Sequence, residues 1–80
     1  MRVHVDNLSP DVSEQELREI FEEYGQVEHA LIAEIGDNRR GEVDMPLDNQ
    51  AYAAIEALNG KEIKGQKVEV KETVLTRTFI

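Results

Sequence analysis

Eighty residues suffice for one domain with a modest core and leave little room for a deep catalytic cleft. Hydrophobic residues make up 40% of the chain, enough for a globular fold, and the lack of cysteine excludes a disulfide framework, thiolate metal sites and a thiol nucleophile. Nine Lys+Arg against seventeen Asp+Glu give a net charge of −8, the reverse of the basic balance that usually marks a nucleic-acid binder.

Residues 2–6 alternate, with Val3 and Val5 on one face and Arg2, His4 and Asp6 on the other, which predicts a strand. Asn7-Leu8-Ser9-Pro10-Asp11 follows as a turn-rich loop. Ser13 with Glu16 three residues on is a capping box, and Val12 can staple onto Leu17 across it. Leu17, Ile20, Phe21 and Tyr24 then recur at helical spacing until Gly25 supplies a stop. Residues 27–35 predict a second strand with Val27, Ala30 and Ile32 inward, and Gly36-Asp37-Asn38-Arg39 a tight hairpin connection. Residues 40–45 alternate again, setting Gly41, Val43 and Met45 against Arg40, Glu42 and Asp44. Asp48 is expected to cap a second helix whose buried stripe is Ala51, Ala54, Ile55 and Leu58, closed by Asn59-Gly60. Residues 67–71 alternate around Val68 and Val70 as a fourth strand. The tail, residues 73–80, carries Val74, Leu75, Phe79 and Ile80, an apolar set suited to packing on the sheet edge or to pairing with another chain.

The element order is βαββαβ, an α+β fold of the ferredoxin-like type. Two amphipathic helices cover one face of a four-stranded antiparallel sheet and leave the other open to solvent. By strand parity the open face carries Arg2, Arg40, Lys67 and Lys71 against Asp6, Glu42, Asp44 and Glu69. It is close to neutral, so the excess acid belongs to the helices and loops, with Glu14, Glu16, Glu19, Glu22 and Glu23 all in the first helix region.

No Ser-His-Asp arrangement, phosphate-cradling glycine loop or metal-ligand cluster stands in the sequence, so neither an enzyme nor a bound cofactor is expected. His4 and His29 fall on non-adjacent strands and do not make a metal pair. No apolar run approaches the roughly 18 residues of a membrane helix, and the N-terminal stretch is not a signal peptide; an intracellular location, cytoplasm or nucleus, is the expectation. The well-capped helices suit an engineered domain as well as a natural one.

Over residues 2–72 the sequence resembles the RNA recognition motif family. The family's first-strand hexamer runs aliphatic, aromatic, aliphatic, any, Asn, Leu; here it is Val3-His4-Val5-Asp6-Asn7-Leu8, with histidine at the aromatic position. Residues 13–32, and residues 54–60 followed by Ile63, Gly65, Val68 and Val70, are similar to its remaining helices and strands. The resemblance implies a domain over residues 1–72, with 73–80 as a C-terminal extension.

The third-strand octamer departs from the family. It expects Lys/Arg, Gly, aromatic, Gly/Ala, aromatic, aliphatic, any, aromatic, and the aligned residues are Asn38 to Met45, with Arg40 and Glu42 at the two outward aromatic positions. In the family those rings stack unpaired bases, at roughly 1–3 kcal/mol per base.

The resemblance thus implies single-stranded RNA as a partner, bound weakly through the open face. His4 would stack a base, Arg40 would stack its guanidinium plane, Arg39 would clamp phosphate at the hairpin, and Lys71 and Arg2 would add charge. Glu42 would oppose a phosphate-rich ligand. The residues also admit a second reading, a module that has lost RNA binding and uses its sheet or acidic helix to bind a protein, or that forms a homodimer through the sheet face or the tail. RNA affinity would fall steeply with salt, whereas apolar association through the tail would not.

Overall fold

The computed structural model describes residues 1–73; the expected extension, apart from Thr73, lies outside the described residues. Strand β1 spans Arg2–Asp6, helix α1 Glu14–Glu22, β2 His29–Ile35, β3 Asn38–Asp44, helix α2 Asp48–Leu58, β4 Glu62–Ile63, β5 Gln66–Lys67 and β6 Glu69–Glu72. The main sheet is antiparallel in the order β2-β3-β1-β6, and β4-β5 form a separate two-stranded ribbon. This is the expected architecture, with one strand redrawn. No helix among the described residues is long and apolar enough to cross a membrane.

Alternation in the sequence becomes two sheet faces. Val3, Val5, Val43, Met45 and Val70 point into the core, where Leu17 and Phe21 of α1 and Ala51, Ala54 and Leu58 of α2 meet them. Ala30 and Ile32 pack at its margin, and Val27 lies buried just ahead of β2, which begins two residues later than the predicted strand. Fully burying an aliphatic side chain is worth about 1.5–3 kcal/mol, so the helices are held to this face rather than the other by where the strands place their valines.

Gly41 allows α1 to seat closely. It occupies an inward position of β3, and a Cβ there would stand 2.6 Å from Leu17 Cδ2 and 2.9 Å from Leu8 Cδ1, closer than packed carbon atoms tolerate.

At the start of α1 the capping box forms as expected: Ser13 Oγ accepts from the Glu16 amide at 3.1 Å, and Val12 and Leu17 are both buried. The next acid along the helix has a longer reach. Glu14 Oε2 accepts from the Ile32 amide at 2.9 Å, an outward-pointing donor of the edge strand β2.

Asn7 ties the end of β1 to its surroundings. Its backbone takes a left-handed φ of 65°, which asparagine accepts more readily than most residues. Its Nδ2 donates to Lys67 O at 2.9 Å, its backbone amide donates to Asn38 Oδ1 at 3.0 Å, and Leu8 beside it is buried. The Asn-Leu pair that ends the hexamer thus has a structural role in this chain.

Three local expectations are corrected. The hairpin between β2 and β3 is shorter than residues 36–39: Gly36, at φ 60°, and Asp37 make the turn, and Asn38 and Arg39 already belong to β3. Asp48 does not cap α2; Leu47 holds the cap position without a side-chain bond and Asp48 is the first helical residue, where a carboxylate still favours the positive end of the helix dipole.

The third correction concerns residues 67–71, which are not one strand. Gly60 N donates to Val68 O at 2.8 Å and Val68 N to Lys61 O at 3.0 Å, so this stretch first pairs with residues 60–63 and only from Glu69 joins β1. Lys64 and Gly65, with φ of 49° and 87°, form the two-residue turn of that ribbon; positive φ at both positions is what a tight hairpin turn of the primed type requires. Lys67 therefore leaves the open face.

Candidate nucleic-acid interface

Neither helix covers the outer face of the sheet. Register sets its side chains in rows across β2, β3, β1 and β6. The central row reads Leu31, Glu42, His4, Lys71, and the row on one side reads His29, Asp44, Arg2. On the other side Ala33 pairs with Arg40, and Asp6 with Glu69. With Lys67 in the ribbon, the face carries Arg2, Arg40 and Lys71 against Asp6, Glu42, Asp44 and Glu69 rather than the expected even balance.

Nearly all of these charges are paired within the sheet. Arg2 Nε lies 3.0 Å from Asp44 Oδ1, Arg40 Nε 2.8 Å from Asp6 Oδ1, and Lys71 Nζ 3.5 Å from Glu69 Oε2. Asp6 also accepts from Asn38 Nδ2 at 2.8 Å. Desolvation pushes the Asp6 carboxyl upward, but the bonds from Arg40 and Asn38 and the charges of Arg40 and His4 outweigh it and hold its pKa below the ordinary value. Among the described residues Glu42 is the one charged group of the face without a hydrogen-bond or ion-pair partner.

His4 sits at the centre of the face, where its ring is expected to stack. Its Nδ1 lies 2.8 Å from Thr73 Oγ1 and its Nε2 3.7 Å from Asp6 Oδ2. The side chain is only 17% exposed, so the imidazole forms floor rather than a raised platform. Arg40 keeps part of its guanidinium free, since only Nε is engaged by Asp6.

Arg39 is not at the hairpin tip. Parity turns it to the helix side of β3, where its Nη1 donates to Ser9 O and Val12 O and its Nε lies 3.9 Å from Glu34. The guanidinium fastens the loop that leads into α1.

Two residues of this face are not among those expected from the sequence. Leu31 and Ile35 on β2 are 46% and 54% exposed, and with Ala33 they make an apolar edge to an otherwise charged surface. Their signal was available: once Ala30 and Ile32 are read as inward, parity turns Leu31, Ala33 and Ile35 outward.

A two-helix layer beneath a four-stranded sheet with one open face defines the class of domain. The chain matches the RNA recognition motif family over residues 3–69 and belongs to that family. It is similar to a protein of Synechocystis provisionally named RNA-binding protein RbpA, with 38% identity over 76 residues that span 90% of this chain and 75% of that one. Among solved structures, the RNA-binding protein PG1 superposes with a TM-score of 0.83 at 33% identity, covering 98% of this chain and 99% of that chain. The first two RNA recognition domains of the yeast poly(U)-binding protein Pub1 superpose with a TM-score of 0.87 over all of this chain and 50% of that one; at 21% identity this is a likeness of fold.

Proposed function

We propose that this domain binds single-stranded RNA across the open face of its sheet. The observation that carries the reading is that face itself, left uncovered by either helix in a chain that belongs to the RNA recognition motif family. Similarity to proteins named for RNA binding favours this mode over the protein-docking mode that the sequence also admits. Bases would lie on the floor made by His4 and Leu31, and Lys71, Arg40 and Arg2 would face the phosphates. Each of those cations already has an acidic neighbour, so RNA would exchange one partner for another and the net gain per contact would be small. Affinity is therefore expected to be modest. Arg39 would contribute indirectly, through the loop it anchors.

The test is an amide NMR titration with a degenerate single-stranded RNA pool at low and at physiological salt. Shifts centred on His4, Leu31, Arg40 and Lys71 that fade with salt are expected. Absence of shifts at low salt would overturn the reading.

A further inference from the structure

Glu42 occupies the middle of the proposed RNA surface, a position the stacking chemistry of the family gives to a ring. Leu31 lies directly across from it on β2 and His4 directly across on β1. A shallow depression beside it is lined by Arg2, His29, Leu31, Glu42 and Asp44. Within that depression Arg2 bonds to Asp44 Oδ1, whereas neither Glu42 oxygen has a hydrogen-bond partner among the described residues, and the positive charge of Arg2 remains close enough to interact with Glu42.

An ionised carboxylate only accepts hydrogen bonds, and this decides which base it can serve. Uracil offers a single N–H between two carbonyl oxygens, and those oxygens repel a carboxylate. Cytosine and adenine each offer an amino group beside an acceptor ring nitrogen. Guanine alone presents two adjacent donors, N1–H and the N2 amine, spaced to meet both carboxylate oxygens at once. A base without them would cover Glu42 and leave it desolvated and unpaired, which adds a penalty against the wrong base.

We propose that Glu42 makes this face selective for guanine in single-stranded RNA, with the base resting on Leu31, its neighbour in the row, and its Watson–Crick edge turned to the carboxylate. This rests on the reading that RNA binds the open face. The residue that costs general affinity is then the one that reads sequence.

The experiment is fluorescence anisotropy of the full chain with labelled oligouridine and with the same oligomer carrying one guanosine, one adenosine or one inosine, at fixed salt. Guanosine is expected to bind about tenfold more tightly than uridine at that position, the scale of a good bidentate base contact. Inosine, which lacks the N2 amine, should lose most of that gain. Glu42→Gln should erase the preference and raise affinity for plain oligouridine, with an amide spectrum that shows the fold intact. Equal binding of all the oligomers by the unaltered chain, or a guanosine preference that survives Glu42→Gln, would overturn this assignment and leave RNA binding standing. Failure of every oligomer to bind would overturn both.

Discussion

Arg40 and Asp6 face each other across the central strand pair β3-β1, with Nε and Oδ1 2.8 Å apart. The contact serves fold and function at once, because it orients the guanidinium proposed to meet RNA and relieves a carboxylate in the middle of a sheet. Opposite charges directly across a strand pair typically contribute about 0.2–1 kcal/mol.

The pH dependence follows from the depressed pKa of Asp6. A carboxyl whose folded pKa lies below its unfolded value, 3.8, stabilises the fold above that value and loses the contribution as pH falls through the folded pKa. The stability difference between the unaltered chain and Asp6→Asn is expected to be constant from neutral pH to roughly 4 and to shrink below it. Thermal melts by circular dichroism across that window measure it. Arg40→Glu, which sets two carboxylates against each other, should lower stability and abolish RNA binding together.

An aromatic ring at either His4 or Glu42 is expected to strengthen RNA binding, and truncation of His4 to weaken it. His4→Ala should weaken RNA binding, and His4→Phe should strengthen it by up to about 1–3 kcal/mol, the worth of one stacked base. Glu42→Phe should strengthen binding to every oligomer while removing discrimination among bases. Anisotropy titrations of the variants measure both effects, and unchanged affinity in all three would remove the sheet face from the binding account.

Salt should act less steeply than the sequence alone leads one to expect, because the face offers few cations. Single-stranded contacts contribute about −0.7 each to the slope of log K against log salt. With Arg2, Arg40 and Lys71 as the face's cations, the slope should be no steeper than about −2. A much steeper slope in anisotropy titrations would place the binding surface elsewhere.

Gly41→Ala should cost about 1–3 kcal/mol in urea unfolding, since its Cβ must displace Leu17 and Leu8 from a filled core. Gly41→Val, with more atoms to place, should cost more.

Arg39→Ala should also destabilise the fold, by about 1–3 kcal/mol, because it removes the donor from two loop carbonyls. Under conditions where the variant stays folded, the salt slope of RNA binding should not change. A slope reduced by one contact would instead place Arg39 on phosphate.

The sequence states some of this plainly and conceals the rest for identifiable reasons. Helix α1 is legible because its cap, staple and apolar spacing lie within a dozen or so residues and depend on nothing distant. The faces of β1 and β3 are legible because a period of two needs no partner. Register is different: parity puts Arg40 and Asp6 on one face, but their meeting depends on β3 beginning at Asn38 and on how it slides past β1. Arg39 misleads for the same reason, since a hairpin two residues shorter draws it into β3, where alternation turns it to the helix side. Lys67 belongs to an alternation that continues smoothly through Val68, while the backbone bonds of Val68 run to Lys61 and Gly60. The Lys64-Gly65 turn was the local sign of that division.

The bond from Ile32 to Glu14 also bears on assembly. An edge strand with free donors is a template on which another copy can build, and β2 presents apolar Leu31 and Ile35 beside its edge. With Glu14 Oε2 seated on the Ile32 amide at 2.9 Å, an incoming strand would first have to expel a charged group already bonded there. Part of the acidity that makes the chain look unfit for nucleic acid thus works as a guard against fibre-like growth of the sheet.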